Sequence, residues 1–173
     1  MIGTRQPTQA EKNYTLRRIV YDVLIATKAV IEFDRTRGDF SKKESFKVAA
    51  LIMARNLNAF LFQNDYRYDD DIHVGDFGLQ SWAPSKNVEL TKVPQKCISK
   101  VVGHVVARTP QGSLPNADVK RLVVPLIRES CEFIDRCVST GTAAYTGAAT
   151  GTRGYVARLN SLLPEIGVSK IPG

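Results

Sequence analysis

The stretch Val48 to Phe62, VAALIMARNLNAFLF, constrains the fold more than any other part of this chain. It is apolar around nearly the whole circumference of a helix. A helix of that kind is normally buried inside other elements. Yet it carries Arg55, Asn56 and Asn58 in its middle. A guanidinium buried without a partner is very costly. Arg55 is therefore expected either to pair with an acid or to open into a polar cavity.

The segments on either side extend the helical pattern. Thr8 and Glu11 have the spacing of a capping box, in which each side chain satisfies a free backbone N–H. A first helix is predicted from there to about Arg35. Ile19, Val23, Ala26, Val30 and Phe33 form its core stripe at three- and four-residue spacing, with Arg17, Arg18, Asp22 and Lys28 elsewhere. Gly38 breaks the pattern. Ser41 and Glu44 suggest a second capping box, opening a helix to about Gln63. At about 100° per residue, Val48, Leu51, Ile52, Ala59 and Phe62 share one face, with Arg55 near its centre. Met53, Leu57, Phe60 and Leu61 cover the opposite side.

Asn64 to Asn87 is a long connection with several Asp residues and the single Trp. Connections this long in a compact domain are usually functional, disordered or tied to a neighbour. Trp82, Phe77 and Tyr66 suggest that it packs down in part. Pro94 suits the first turn of a third helix to about Arg108, with Ile98, Val101, Val102 and Val105 as its core stripe. TPQGSLPN reads as a turn. A fourth helix is predicted from Asn116 to about Val138, with Pro125 kinking it. Val119, Leu122, Val123, Leu126, Ile127, Phe133 and Ile134 supply its core face. Ser139 to Gly154, rich in Gly, Ala and Thr, buries little and is expected to be flexible. A short helix is possible at Tyr155 to Leu163.

The expected architecture is all-α: a bundle of about four main helices over residues 1–138, with a long loop between the second and third. Residues 139–173 follow as a C-terminal tail. The 173 residues are enough for one domain with a sizeable core. No apolar run approaches the roughly 20 residues needed to span a bilayer. The first residues, MIGTRQPTQAEKNY, lack an apolar signal core, so a cytoplasmic protein without a membrane partner is expected. Apolar surface left over from several amphipathic helices makes a homodimer plausible.

Lys and Arg total 24 against 17 for Asp and Glu, a formal charge of +7. That permits attraction to RNA or another polyanion without demanding it. The positive residues read as scattered, with no basic–aromatic interleaving. Cys97, Cys131 and Cys137 include no CxxC pair, which argues against structural zinc and a disulfide scaffold. Small buried or half-buried thiols are the expectation. A Cys97–His104 dyad has no sign of activation. No cofactor is implied.

Two constellations could carry chemistry. Arg55 and Asn56 on the second helix could meet His104 and Arg108, which are four apart and share a face of the third. Arginine holds phosphate through a bidentate fork, and histidine moves protons near neutral pH. The pair would suit metal-free cleavage of RNA through its 2′-hydroxyl. Alternatively, Arg55 pairs with an acid such as Asp70 or Glu132 and stiffens the bundle. Asp69, Asp70, Asp71, His73 and Asp76 form the second group. They could offer oxygen ligands to a divalent cation. Their spacing is not that of an EF-hand, and an acidic loop that caps helices or pairs with Arg55 or Arg108 is the stronger expectation.

The order ARNLNAFLF, DDDIHVGDF, a tryptophan, then ISKVVGHVVAR resembles a group of small, uncharacterised bacterial all-helical proteins, over about Ala49 to Arg108. More distantly it resembles HEPN-type helical bundles, many of which are RNases or RNA-binding partners in toxin–antitoxin and phage-defence systems. The HEPN RNase motif has a histidine four to six residues after its arginine, on the same helix. Arg55 and Asn56 match its start, but Phe60, Leu61 and Phe62 occupy the histidine positions. Only His104, from another helix, could take that role. Two functions follow as expectations. One is a non-catalytic binding or interaction protein whose polar pocket around Arg55, Asn56 and His104 holds an anionic group or fixes the fold, with RNA or a protein as partner. The other is a metal-independent RNase, with His104 as acid and base and Arg55 or Arg108 on the phosphate.

Overall fold

In a computed structural model, residues 6–62, 72–79, 82–90, 116–140 and 143–172 are described, with the backbone alone for 116–117 and 143–150. Among the described residues the protein is an all-α bundle of four long helices with no strand. These are α1 (Gln9–Arg35), α2 (Phe40–Phe62), α3 (Asn116–Ser139) and α4 (Ala143–Leu162). The expected helix from Pro94 to Arg108 lies outside the described residues, as do Tyr66, Asp69, Asp70, Asp71, Cys97, His104 and Arg108.

Helix α1 is the hub and packs against α2, α3 and α4. Its N-terminus is closed by the expected capping box. Thr8 N–H donates to Glu11 Oε2 at 2.7 Å, and Glu11 N–H donates to Thr8 Oγ1 at 3.3 Å. Its buried residues are too many for one stripe: Leu16, Ile19, Val20, Val23, Leu24, Ala26, Ala29, Val30, Ile31 and Phe33 all lie in the core. This width follows from contact with three neighbours. At the C-terminus the Thr36 hydroxyl donates to the Glu32 carbonyl at 2.7 Å. Gly38, at φ +79°, then turns the chain into α2, a left-handed conformation that glycine adopts without a Cβ clash.

Helix α2 begins one residue before the expected box, and its cap is Asp39, not Ser41. Asp39 Oδ1 accepts from Lys42 N–H at 2.9 Å. The helix is also rotated relative to expectation. Lys47, Ala50, Leu51, Ala54, Leu57, Asn58 and Leu61 are buried. Val48, Ile52, Ala59 and Phe62 are only half-buried, and Arg55 is exposed. The rotation keeps a guanidinium in water and buries Ala54 in its place. It also carries Asn58 to a partner: Asn58 Oδ1 accepts from Leu90 N–H at 2.7 Å.

The connection between α2 and α3 is strapped down where it is described. Phe77 sits in the short 3-10 turn Val74–Phe77. Its ring centroid lies 5.1 Å from that of Phe133 of α3, while Phe60 of α2 meets Phe133 at 5.0 Å and Trp82 meets it at 5.9 Å. This aromatic cluster, edge-on at Phe60 and Phe77 and tilted at Trp82, joins α2, the connection and α3. Two carboxylates on α3 hold the strap. Glu132 accepts from Trp82 Nε1 at 2.9 Å, and Glu129 accepts from Ser85 N–H at 3.1 Å. Helix α3 runs unbroken through Pro125.

The Gly/Ala/Thr-rich segment expected as a flexible tail is instead helical from Ala143 and packs against α1. Val156, Leu159 and Leu163 are buried there, and a 3-10 turn over Leu163–Ile166 follows. Gly167, at φ +72°, reverses the chain, and Val168 N–H donates to the Leu163 carbonyl at 3.1 Å. Asn160 then clamps the returning segment. Its amide donates to the Ile171 carbonyl at 2.7 Å, and its oxygen accepts from Ile171 N–H at 2.8 Å. Val168 and Ile171 are buried as a result. Small residues signal weak burial when read singly, but they also allow another element to lie close to a helix backbone. At Gly151 the space is taken by the Arg17 side chain of α1, whose Cζ would stand 3.1 Å from an added Cβ.

Candidate functional site: an arginine–tyrosine groove

Four residues of α1, Tyr14, Arg17, Arg18 and Tyr21, recur at spacings of three and four and so share one helix face. With Tyr155 of α4 they line an open groove of about 240 Å³. The Tyr21 and Tyr155 rings meet edge-on, with centroids 5.7 Å apart and planes at 69°. Each arginine lies over one of these rings: Arg17 Cζ is 5.9 Å from the Tyr155 centroid and Arg18 Cζ is 5.6 Å from that of Tyr21. Such cation–π contacts hold a guanidinium in place without neutralising it.

The two arginines differ in their charge partners. Arg18 Nε lies 3.0 Å from Oδ1 of Asp22, one turn further along α1. Asp22 is only 2% exposed, and its other oxygen accepts from Asn56 Nδ2 of α2 at 3.4 Å. Burial raises the Asp22 carboxyl pKa above the usual carboxylate range, while Arg18 and the Asn56 hydrogen bond hold it back. Arg17 has no carboxylate partner among the described residues. Its guanidinium crosses α4 at Gly151, where a Cβ would stand 3.1 Å from Arg17 Cζ. The glycine leaves the space in which Arg17 lies. Among the described residues the groove therefore carries one cation without a carboxylate partner, one cation tied to a buried acid, and three aromatic rings. It can hold an anion and offer flat apolar faces beside it.

The residues singled out from sequence fall differently. Arg55 is exposed, so the premise that it is a buried guanidinium is corrected. Glu132, one of its expected partners, instead accepts from Trp82 and lies 3.7 Å from Arg136. Asn56 is part of the Asp22 arrangement. His73 is buried at the start of the 3-10 turn, and its N–H donates to Asp76 Oδ2 at 2.8 Å. Asp76 therefore caps that turn. Among the described residues no group of three His, Cys, Asp or Glu side chains is placed to hold a metal ion. Cys131 is buried, and desolvation pushes its thiol pKa up to about 12, the opposite of an activated nucleophile. It borders a second hollow of about 360 Å³, lined by two cations, Arg128 and Lys170, and two carboxylates, Glu132 and Asp135. The charges there balance within the protein.

The groove contradicts the expectation that basic and aromatic residues do not interleave. Its signal was present as YTLRRIVY: aromatic, basic, basic, aromatic at positions 14, 17, 18 and 21. The alternation appears only when these residues are read at helical period. Among the described residues no helix is long and apolar enough to cross a membrane. No family model matches this chain, and neither a curated protein nor a solved structure matches it.

Proposed function

We propose that this protein is a non-catalytic binding protein that holds an anionic, phosphate-bearing ligand in the groove between α1 and α4. The observation that supports it is Arg17. Its guanidinium is positioned over Tyr155 and against Gly151 yet has no carboxylate to neutralise it among the described residues. Planar arginines suit phosphate because their N–H groups form a fork that matches two of its oxygens. The net charge of +7 adds long-range attraction to any polyanion. The test is a titration with heparin and with inorganic polyphosphate, followed by light scattering and by intrinsic tyrosine and tryptophan fluorescence. Binding should weaken with salt and should weaken further in Arg17→Ala. Equal binding by wild type and Arg17→Ala would sink the reading.

A second reading is metal-independent RNA cleavage, with His104 as acid and base and Arg55 or Arg108 stabilising charge on the phosphorus. The exposure of Arg55 supports it, because a substrate can reach that side chain. RNA cleavage in EDTA that is lost in folded Arg55→Ala and His104→Ala would establish it. Full activity in either variant would remove that residue from the mechanism.

A further inference from the structure

Three large apolar side chains reach solvent among the described residues: Tyr14 and Phe40 are well exposed, and Tyr21 is 37% exposed, with Arg18 over its ring and Tyr155 against its edge. Two of the three stand on the groove face of α1, on either side of Arg17 and Arg18. Tyr14 is 72% exposed and makes no ring or cation contact among the described residues. A small anion or an acidic peptide needs the arginines but has no use for a bare aromatic face beside them. A nucleic-acid duplex presents phosphates, but its bases are stacked away from side chains. A single strand presents both, with charge along its backbone and open base faces beside it.

The spacing agrees. Tyr14 and Tyr21 are seven residues apart, about 10 Å along the helix axis. That is about three stacking intervals of 3.4 Å. A strand laid along α1 would thus place phosphates near Arg17 and Arg18 while bases near its ends reach the two tyrosines. Tyr155 backs the middle of this track and keeps Arg17 raised over α4.

We propose that the Tyr14–Arg17–Arg18–Tyr21 face of α1, backed by Tyr155, binds single-stranded nucleic acid, with phosphates on the arginines and a base stacked on Tyr14. This rests on the reading of the groove as an anion site and names its ligand class. Recognition of this kind is tolerant of sequence, because every base has a π-face.

The test uses fluorescence anisotropy with labelled 12-residue oligo(U), 12-residue oligo(dT), a 12-base-pair duplex, a heparin oligosaccharide and a poly-Glu peptide, at matched ionic strength. Proteins are wild type, Tyr14→Ala, Tyr14→Phe and Arg17→Ala, each checked for helical content. Tyr14 is exposed, so its replacement does not disturb the core. The single strands should bind more tightly than the other probes. Tyr14→Ala should weaken them by about 5- to 150-fold, the worth of one base–aromatic stack, and Tyr14→Phe should restore binding. Arg17→Ala should lower the salt slope by about 0.7, the value for one phosphate contact on a single strand. A preference for oligo(U) over oligo(dT), or the reverse, identifies which strand is the ligand. If duplex and heparin bind as tightly as the single strands and Tyr14→Ala changes nothing, the single-strand proposal fails and the anion site stands. If the poly-Glu peptide binds best, the proposal fails in favour of an acidic protein partner. If no probe binds, both the proposal and the anion reading fall.

Discussion

Gly151→Ala should stabilise the protein while weakening the groove. Gly151 lies in the interior of α4 and has helical backbone angles. In that setting glycine costs about 0.8–1 kcal/mol relative to alanine, because the unfolded chain gives up more freedom and no side chain covers the backbone. The opposing effect is local. The new Cβ would stand 3.1 Å from Arg17 Cζ and 3.2 Å from Nε, so the guanidinium must retreat by a few tenths of an ångström. It is the free end of an exposed side chain and can do so. The most it can forfeit is its contact with Tyr155, roughly 0.5–1 kcal/mol for a cation–π pair at an exposed site. A small retreat loses only part of that. The net effect should be a gain of about 0.5 kcal/mol, worth on the order of 1–2 °C in Tm for a chain of this size. Thermal unfolding followed by circular dichroism measures it, and titration with oligo(U) or heparin measures the groove. Affinity should fall, though by less than in Arg17→Ala because the charge remains, while Tm rises. A drop in Tm of several degrees would refute the reasoning, because it would mean that Arg17 is locked rigidly between α1 and α4. Unchanged affinity would show that the position of Arg17 is unimportant for binding.

Asp22→Asn tests the buried acid. Its folded pKa is raised, so the folded state binds a proton more tightly than the unfolded one. The stability it contributes is therefore full below the ordinary value of 3.8 and is lost as pH rises through the raised value. The variant should flatten that part of the pH profile of the urea midpoint and match or exceed wild type at neutral pH. A lower midpoint with the slope unchanged would show that the Arg18 pair outweighs desolvation. Phe133→Ala should cost about 3–5 kcal/mol, since a fully buried ring at the junction of α2, α3 and the strap is removed. Urea unfolding would check it, and a loss under 1 kcal/mol would mean that the surrounding rings collapse into the space. Asn160→Ala breaks both hydrogen bonds to Ile171 and should cost about 1–3 kcal/mol. Amide exchange should then rise at Val168 to Ile171 before it rises in α1; uniform protection would refute a clamp.

The parts of the fold legible in the sequence are those set by local chemistry. Thr8 with Glu11 marked the start of α1, because a capping box needs only residues three apart. Asn116 to about Val138 was legible as α3 from its apolar period. The rotation of α2 was not, because its circumference is apolar nearly all round. Periodicity then leaves the buried side undetermined, and the choice fell to the cost of desolvating Arg55 and to Asn58 finding Leu90. The docking of α4 was missed for a related reason, since small residues say nothing about which surface will approach them.

The candidate site divides in the same way. The run YTLRRIVY alone places two tyrosines and two arginines on one face of α1, because helical period depends on nothing outside the helix. Tyr155 lies more than a hundred residues further along the chain, and Gly151 makes room for Arg17 only once α4 packs against α1. Asp22 reads as a surface carboxylate until α2 covers it and Asn56 donates to it. Sequence by itself determined the capping box of α1, the apolar period of α1 and α3, and the charge the chain carries. Tertiary structure alone decided which charges are buried, which are left free and which rings stand beside them, because desolvation and contact depend on neighbours that distant parts of the chain provide.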